Sequence, residues 1–314
     1  MRVVSLFSGA GGLDLGFKNA GFEIVWANDL DPDAVATYKK NIGHHIVQHD
    51  ISKIDMANIP DCDVVIGGFP CQGFSQANRL RSKDDERNQL YLEFLRVVRA
   101  KKPKVFFAEN VRGILSLDNG YAIQRIEKDF ENLGYRVKKE LFNMADFGIP
   151  QTRYRVIIVG VRNDMTFDYE YPQPTHAAPS RSEKLDLKKW VTIGEALEHI
   201  PEPEEGEHFL NHVFSAYKIT NRNFTGHRKT DPNKPSPTIL ARGNGKGGVC
   251  AIQHPLNHRR MSVRESAIIQ TFPLDFLFIG SMTSCYRQVG NAVPPLFSKA
   301  MALKLKETLE SEPK

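Results

Sequence analysis

A chain of 314 residues can bury a sizeable core, as one large domain or two unequal ones, and 41% hydrophobic with 25% charged residues excludes a disordered or fibrous protein. No apolar stretch reaches bilayer-spanning length and the N-terminus MRVVSLFSG carries no signal-peptide core, so a cytoplasmic protein is expected. The net charge is a modest +5, and the four cysteines (Cys62, Cys71, Cys250, Cys285) form no CxxC pair and no zinc spacing, so neither disulfides nor a metal are expected.

In chain order, β-branched runs at 3–7, 24–28, 45–48, 64–67, 105–108 and 156–161 read as strands, with one more around 136–141. Amphipathic stretches at 33–41, 90–100 and 123–133 lie between them and read as helices. This alternation predicts an α/β fold with a doubly wound, mostly parallel sheet. After Tyr171 prolines at 172, 174, 179, 201, 203, 232, 235 and 237 break the alternation, which reads as a second, smaller domain of loops and short strands. Helical patterning returns at 263–270 and 296–309, and the last segment is placed to pack back on the first domain. The expected division is 1–175 plus 281–314 for the large domain and 176–280 for the small one.

The first strand runs into Phe7-Ser8-Gly9-Ala10-Gly11-Gly12 and then a helix-type segment. Glycines at the carboxyl end of a strand let the backbone approach a ligand, although a tight turn alone would use them too. Asp29, twenty residues after Gly9, ends the second strand, where a carboxylate can hold ribose hydroxyls. Asp14 stands where the dinucleotide fingerprint needs its third glycine, and no Gly-Lys-Ser/Thr follows. A nucleoside without phosphates, such as S-adenosylmethionine, fits this loop better than NAD.

The fourth strand gives way to Gly67-Gly68-Phe69-Pro70-Cys71-Gln72-Gly73-Phe74-Ser75. A lone cysteine there is either a small hydrophobe or a nucleophile displayed at the top of the sheet. Glu109 ends another strand at the same carboxyl edge, so a thiolate and an acid–base carboxylate could meet beside the cofactor.

These stretches together resemble the DNA (cytosine-5)-methyltransferases of bacterial restriction–modification systems. FSGAGG is similar to the family's cofactor loop, GGFPCQGFS to its nucleophile motif and Glu109-Asn110-Val111 to its acid motif. Gln151-Thr152-Arg153-Tyr154-Arg155, Arg264-Glu265-Ser266-Ala267 with Gln270, Phe272 and Pro273, and Gln288-Val289-Gly290-Asn291-Ala292-Val293-Pro294 complete the set in family order. The chain departs from the pattern at Asn88, where the family often has glycine, and at Thr271, where glycine is common.

The resemblance implies a methyl transfer from S-adenosylmethionine, leaving S-adenosylhomocysteine, to C5 of a cytosine flipped out of double-stranded DNA. It implies that Cys71 is the nucleophile, Glu109 the acid, and Arg153 and Arg155 the groups that hold the cytosine carbonyl or nearby phosphates. It assigns the cofactor to Phe7, Ser8, Gly9, Ala10, Gly11, Gly12, Leu13, Asp29, Leu30, Asp50, Ile51, Phe69, Pro70, Leu90, Asn291, Ala292 and Val293. Segment 72–89, with Gln72, Ser75 and Arg87, resembles the family's catalytic loop that closes over DNA. The implied protein is a monomer without metal or membrane partner, associated with the nucleoid when acting on DNA, and sharing its site with a restriction endonuclease.

The stretch between QTRYR and RESA is where the family places target recognition. It holds ten Lys or Arg between Asn211 and Arg264 against one acid, Asp231, as a phosphate-binding surface would. Thr238 falls in a Thr–aliphatic element common in such regions, and Arg242, Asn244 and Lys246 lie in a glycine-rich run that could enter a groove or touch only phosphate. A transfer-RNA cytosine methyltransferase on the same scaffold remains an alternative, although the CFT tripeptide of that branch is absent. A catalytically silent DNA-binding relative is the other.

Overall fold

Val64, Val65, Ile66 and Gly67 are all buried, as an apolar run without alternation requires of a strand covered on both faces. They lie at the centre of a seven-stranded sheet in a computed structural model that describes residues 1–70, 89–206, 208–216, 229–241, 252–257 and 259–310. The sheet is built from β1 (Arg2–Leu6), β2 (Glu23–Asp29), β3 (Ile46–Gln48), β4 (Val64–Gly67), β5 (Val105–Val111), β6 (Tyr135–Asn143) and, after the two-residue β7 (Gln151–Thr152), β8 (Tyr154–Arg162). Its spatial order is β3-β2-β1-β4-β5-β8-β6. The first five run parallel, while β8 is antiparallel to both β5 and β6. The expected α/β, doubly wound, mostly parallel sheet is therefore present, with an antiparallel pair at one edge.

Helices α1 (Gly12–Asn19), α2 (Pro32–Asn41), α3 (Gln89–Lys101) and α4 (Tyr121–Glu131) connect these strands. Helix α2 starts where it does because the Asp31 carboxylate accepts the amides of Asp33 and Ala34 and Pro32 supplies a helical φ at the first position. On one face, α3 and α4 bury Phe94, Val98, Ile126 and Phe130 against Val4, Val65 and Phe106. On the other, Phe17 of α1 packs with Val64 and Phe107 and with Phe297, Met301 and Leu305 of the last helix. Each fully buried side chain of this size contributes about 1.5–3 kcal/mol.

The second half holds β9 (His176–Ala177), α5 (Pro179–Leu185), β10 (Lys188–Lys189), α6 (Ile193–Leu197) and β11 (Ser236–Pro237), then α7 (Val263–Ile269), α8 (Met282–Asn291) and α9 (Pro295–Glu310). Strand β11 pairs parallel with β7, Ser236 opposite Gln151. Helix α7 begins at a capping box in which Ser262 and Glu265 satisfy each other's amides. Ile193, Ile239, Met261 and Ala267 belong to the same hydrophobic cluster as α1 and α9, so the described part of 176–280 packs continuously with the sheet. Among the described residues no helix is long and apolar enough to cross a membrane, and no group of His, Cys, Asp and Glu could hold a metal ion.

Candidate active site

Leu6 pairs with Gly67, and Gly67 with Ala108, so the chain leaves β1, β4 and β5 side by side at one edge of the sheet. The strand order reverses between β1 and β4, the point where doubly wound sheets open a crevice. Because β8 runs the opposite way, its first residues reach this same edge, with Arg155 opposite Val111. A cavity of about 630 Å³ opens there.

Its walls bring together Phe7, Ser8, Gly9, Ala10, Gly12 and Leu13 after β1, Asp29 and Leu30 at the end of β2, and Asp50 and Ile51 after β3. Phe69 and Pro70 after β4, Leu90 of α3, Glu109, Arg155, and Asn291, Ala292 and Val293 at the end of α8 line it too. Gly11 turns away and packs over Tyr38 and Ile42. Cys71, Gln72, Ser75, Arg87, Arg242, Asn244 and Lys246 lie outside the described residues.

The loop after β1 is fixed by its own backbone and by Asp29. Ser8 donates its amide to the Asn28 carbonyl at 2.9 Å, and the Gly9 amide donates to Asp29 Oδ2 at 2.7 Å. The Asp31 amide donates to Asp29 Oδ1 at 2.9 Å, so both carboxylate oxygens are oriented by backbone donors. Burial nevertheless holds the Asp29 pKa above the usual carboxylate value. Phe7 adopts φ 54°, a left-handed conformation that costs a non-glycine residue about 1–2 kcal/mol, within the loop that faces the cavity. Across the cavity, Asp50 accepts from the Ser52 amide and hydroxyl, which lowers its pKa, and thereby caps the turn carrying Ile51. Phe69 is buried and seated on the ring of Phe94, centroids 5.8 Å apart.

Asp14, which in the sequence served only to exclude a dinucleotide, has a place of its own. It is fully buried on α1 beneath the loop, accepting from Ser5 Oγ at 3.0 Å and Tyr38 OH at 2.9 Å. Ser8 of the loop donates to Ser5 Oγ at 2.9 Å, so a chain of hydroxyls joins Asp14 to the cavity wall. Burial pushes the Asp14 carboxyl up to about 6, against the opposing hydroxyl donors.

The reactive end of the cavity is set by strand register. Glu109 stands opposite Ile157, and Arg155 is two residues from Ile157, so both side chains project from one face of neighbouring strands. Arg155 Nε lies 2.7 Å from Glu109 Oε1, with the side chains only 13% and 12% exposed. Gly68 permits this arrangement, since a methyl group there would come within 2.9 Å of Glu109 Oε2. Asn110, overlooked as a site residue although it lies inside the Glu-Asn-Val motif, is buried and donates to the Phe69 carbonyl at 2.9 Å. It thus ties the strand carrying Glu109 to the segment that leads into Cys71.

Arg153 does not line the cavity. It is completely buried, and its guanidinium donates to the carbonyls of Ile239, Gly290 and Ala292 at 2.9, 2.9 and 3.0 Å. Arg153 falls in the break between β7 and β8 rather than in either strand, and there it is enclosed by the body of the protein, while Arg155, the second residue of β8, reaches the cavity. Thr238, expected to touch DNA, donates its hydroxyl to the Thr152 carbonyl at 2.8 Å. Of the basic block, Arg259 is held between Glu202 and Glu265, at 2.8 and 2.7 Å, as a structural tie within the region rather than an open cationic surface. Arg287 and Asp31, both absent from the expected site, form a 2.7 Å ion pair at the cavity wall.

Comparisons with known proteins bear on the whole chain. The family model of C-5 cytosine-specific DNA methylases matches residues 1–307. The chain is 44% identical to the Type II methyltransferase M.NgoFVII of Neisseria gonorrhoeae, over 94% of this chain and 83% of that protein. It is 37% identical to M.BsuRI of Bacillus subtilis, over 96% and 78%. A crystal structure of a prophage-encoded DNA modification methyltransferase of E. coli superposes with a TM-score of 0.80 at 24% identity, covering 99% of this chain and 100% of that one. The Dnmt2 methyltransferase of S. pombe superposes at 0.72 with 22% identity, covering 99% and 98%, a likeness of fold. The chain belongs to the C-5 cytosine-specific DNA methylases, with the Type II methyltransferases of restriction–modification systems as its relatives.

Proposed function

We propose that this DNA cytosine methyltransferase takes its methyl group from S-adenosylmethionine and transfers it to C5 of a cytosine turned out of a DNA duplex, through a covalent bond between Cys71 and C6. The observation that carries this reading is the Glu109–Arg155 pair, 2.7 Å apart at the end of the cavity where the chain passes through Pro70 toward Cys71.

The cavity's groups fit a nucleoside with an amino-acid tail. Asp29 offers a carboxylate for ribose hydroxyls, and Leu30, Ile51 and Phe69 offer apolar surface for a base. Among the described lining residues the Lys and Arg side chains are Arg155 and Arg287, each already paired with a carboxylate, which gives a diphosphate no cationic partner. S-adenosylmethionine supplies an electrophilic methyl when bound.

Cytosine C5 is too weak a nucleophile to take that methyl unaided. Addition of the Cys71 thiolate to C6 moves an electron pair through the ring to N3, where Glu109 delivers a proton and leaves the enamine at C5. C5 bonds to the methyl carbon with release of S-adenosylhomocysteine. Loss of the C5 proton to solvent then rebuilds the C5–C6 double bond and expels the Cys71 thiolate, and N3 returns its proton to Glu109. Arg155, oriented by Glu109, donates to the cytosine carbonyl and favours the thiolate over the thiol. In the host, the modification protects DNA from a restriction endonuclease that reads the same site, and the enzyme acts as a monomer.

The experiment is to express the protein in a methylation-deficient bacterium and map 5-methylcytosine by bisulfite sequencing. Methylation at one short recurring context, abolished by Cys71→Ala, is expected. Methylation that survives Cys71→Ala would overturn the covalent route. Unmethylated DNA from cells containing folded, cofactor-binding protein would overturn the DNA substrate and direct the assay to transfer RNA.

A further inference from the structure

Ile239, Leu240 and Ala241 end a described stretch of the region between the two halves of the sheet domain, and the same three residues line the cofactor cavity. They face Gly290 and the wall formed by Asn291, Ala292 and Val293. The region expected to recognise DNA and the wall expected to hold the cofactor therefore share a boundary.

One guanidinium holds that boundary. Arg153 donates from Nη1 to the Ile239 carbonyl and from Nη2 to the carbonyls of Gly290 and Ala292. Gln151 repeats the pattern two residues earlier. Its Oε1 accepts the Ile239 amide at 2.9 Å, and its Nε2 donates to Gln270 Oε1 at 2.8 Å. Gln270 in turn donates to the Val289 carbonyl at 2.7 Å. The fit is close, since a methyl group at Gly290 would come within 2.5 Å of the Ala241 nitrogen. A planar guanidinium with donors fixed in a fork keeps three carbonyls in one relative geometry, which a single ammonium cannot. Shifting either segment breaks buried hydrogen bonds to a charged group, so the two move together or not at all.

We propose that Arg153 is a positioning residue that couples the two substrate sites: cofactor seated against residues 291–293 fixes the course of 239–241, and DNA bound by the region to which 239–241 belong fixes the cofactor wall in return. The inference rests on the proposed use of S-adenosylmethionine and DNA. Linkage makes the coupling reciprocal, so it reads identically from either ligand.

The test uses the full chain, S-adenosylhomocysteine and a duplex carrying the site mapped by bisulfite sequencing. The dissociation constant for each ligand is measured with and without the other, for the wild type and for Arg153→Lys. In the wild type each ligand tightens the other about tenfold or more, within the usual range of coupling. In Arg153→Lys that factor falls to near one. A purely structural role would weaken both ligands and leave the factor intact, and that result would overturn the inference, as would a wild-type factor of one. If Arg153→Lys does not fold, Gly290→Ala, which forces the same two segments apart, is expected to show the same loss, and an unchanged factor there overturns the inference. A wild type that binds only one ligand, or neither, overturns the functional reading and this inference with it.

Discussion

The side-chain amide of Asn110 donates to the Phe69 carbonyl across 2.9 Å, so the end of β5 holds the backbone two residues ahead of Cys71. Its own Oδ1 accepts the Val111 amide, which fixes the orientation of the amide group. Asn110→Ala leaves a buried carbonyl without its donor, a loss of about 1–3 kcal/mol in stability. The larger effect is expected on catalysis, because a nucleophile displaced by an ångström can lose about a hundredfold in rate. Steady-state methylation should show kcat reduced with the KM for S-adenosylmethionine little changed. A folded variant with wild-type kcat would remove Asn110 from any part in presenting Cys71.

Glu109→Gln keeps the shape of the side chain and removes both its negative charge and its capacity to deliver a proton. Arg155, 2.7 Å away and only 13% exposed, then loses the carboxylate that orients it. Acid–base groups commonly contribute about 10²–10⁴-fold, and a loss of that size in kcat is expected. Cofactor affinity, measured by calorimetry with S-adenosylhomocysteine, should persist. A kcat within threefold (on the order of 0.6 kcal/mol) of wild type would rule Glu109 out as the proton donor.

Much of the site was legible in the sequence because strand ends are. The runs at 64–67 and 105–108 place Gly68 and Glu109 at one edge by length alone, and the structure differs there only in extending β5 to Val111. What was not legible is where neighbouring residues of one motif point. Arg153 and Arg155 look equivalent in QTRYR, yet Arg153 stands in the break before β8 and is enclosed, while β8, running antiparallel to β5, brings Arg155 to the cavity edge. The antiparallel direction is a tertiary fact with no local signature, as is the Arg287–Asp31 pair, which spans 256 residues. Thr238 illustrates the same limit, since its hydroxyl is engaged by a carbonyl 86 residues away in the chain. The recognition region resists reading for a related reason. Its basic residues include Arg259, whose charge is matched inside the fold by Glu202 and Glu265, so a count of charges overstates the open cationic surface.

Asp29 both shapes the loop after β1 and faces the cavity, so its removal should act on the cofactor. Asp29→Ala deprives the Gly9 and Asp31 amides of their acceptor. Hydrogen bonds to a charged group contribute about 1.5–3 kcal/mol, which corresponds to at least a tenfold weaker KM for S-adenosylmethionine. The KM for DNA should move far less. Equal changes in both constants would show that the residue supports the fold rather than the ribose.

Asp14 should give the protein a pH dependence that a neutral isostere lacks. Its carboxyl is raised to about 6 in the folded chain, against about 3.9 when unfolded. A raised pKa means that the folded state binds the proton more tightly, so the associated stability is present at acid pH and is lost as pH rises through 6. Asp14→Asn is uncharged at every pH and retains groups able to meet the Ser5 and Tyr38 hydroxyls. Comparing the two proteins cancels every other titrating group. Urea unfolding at pH 4.5 and pH 8 should therefore show wild type losing about 2 kcal/mol relative to Asp14→Asn between those values. A difference that stays constant across the range would show that Asp14 does not titrate there, and that the hydroxyls of Ser5 and Tyr38 outweigh the cost of burying its charge.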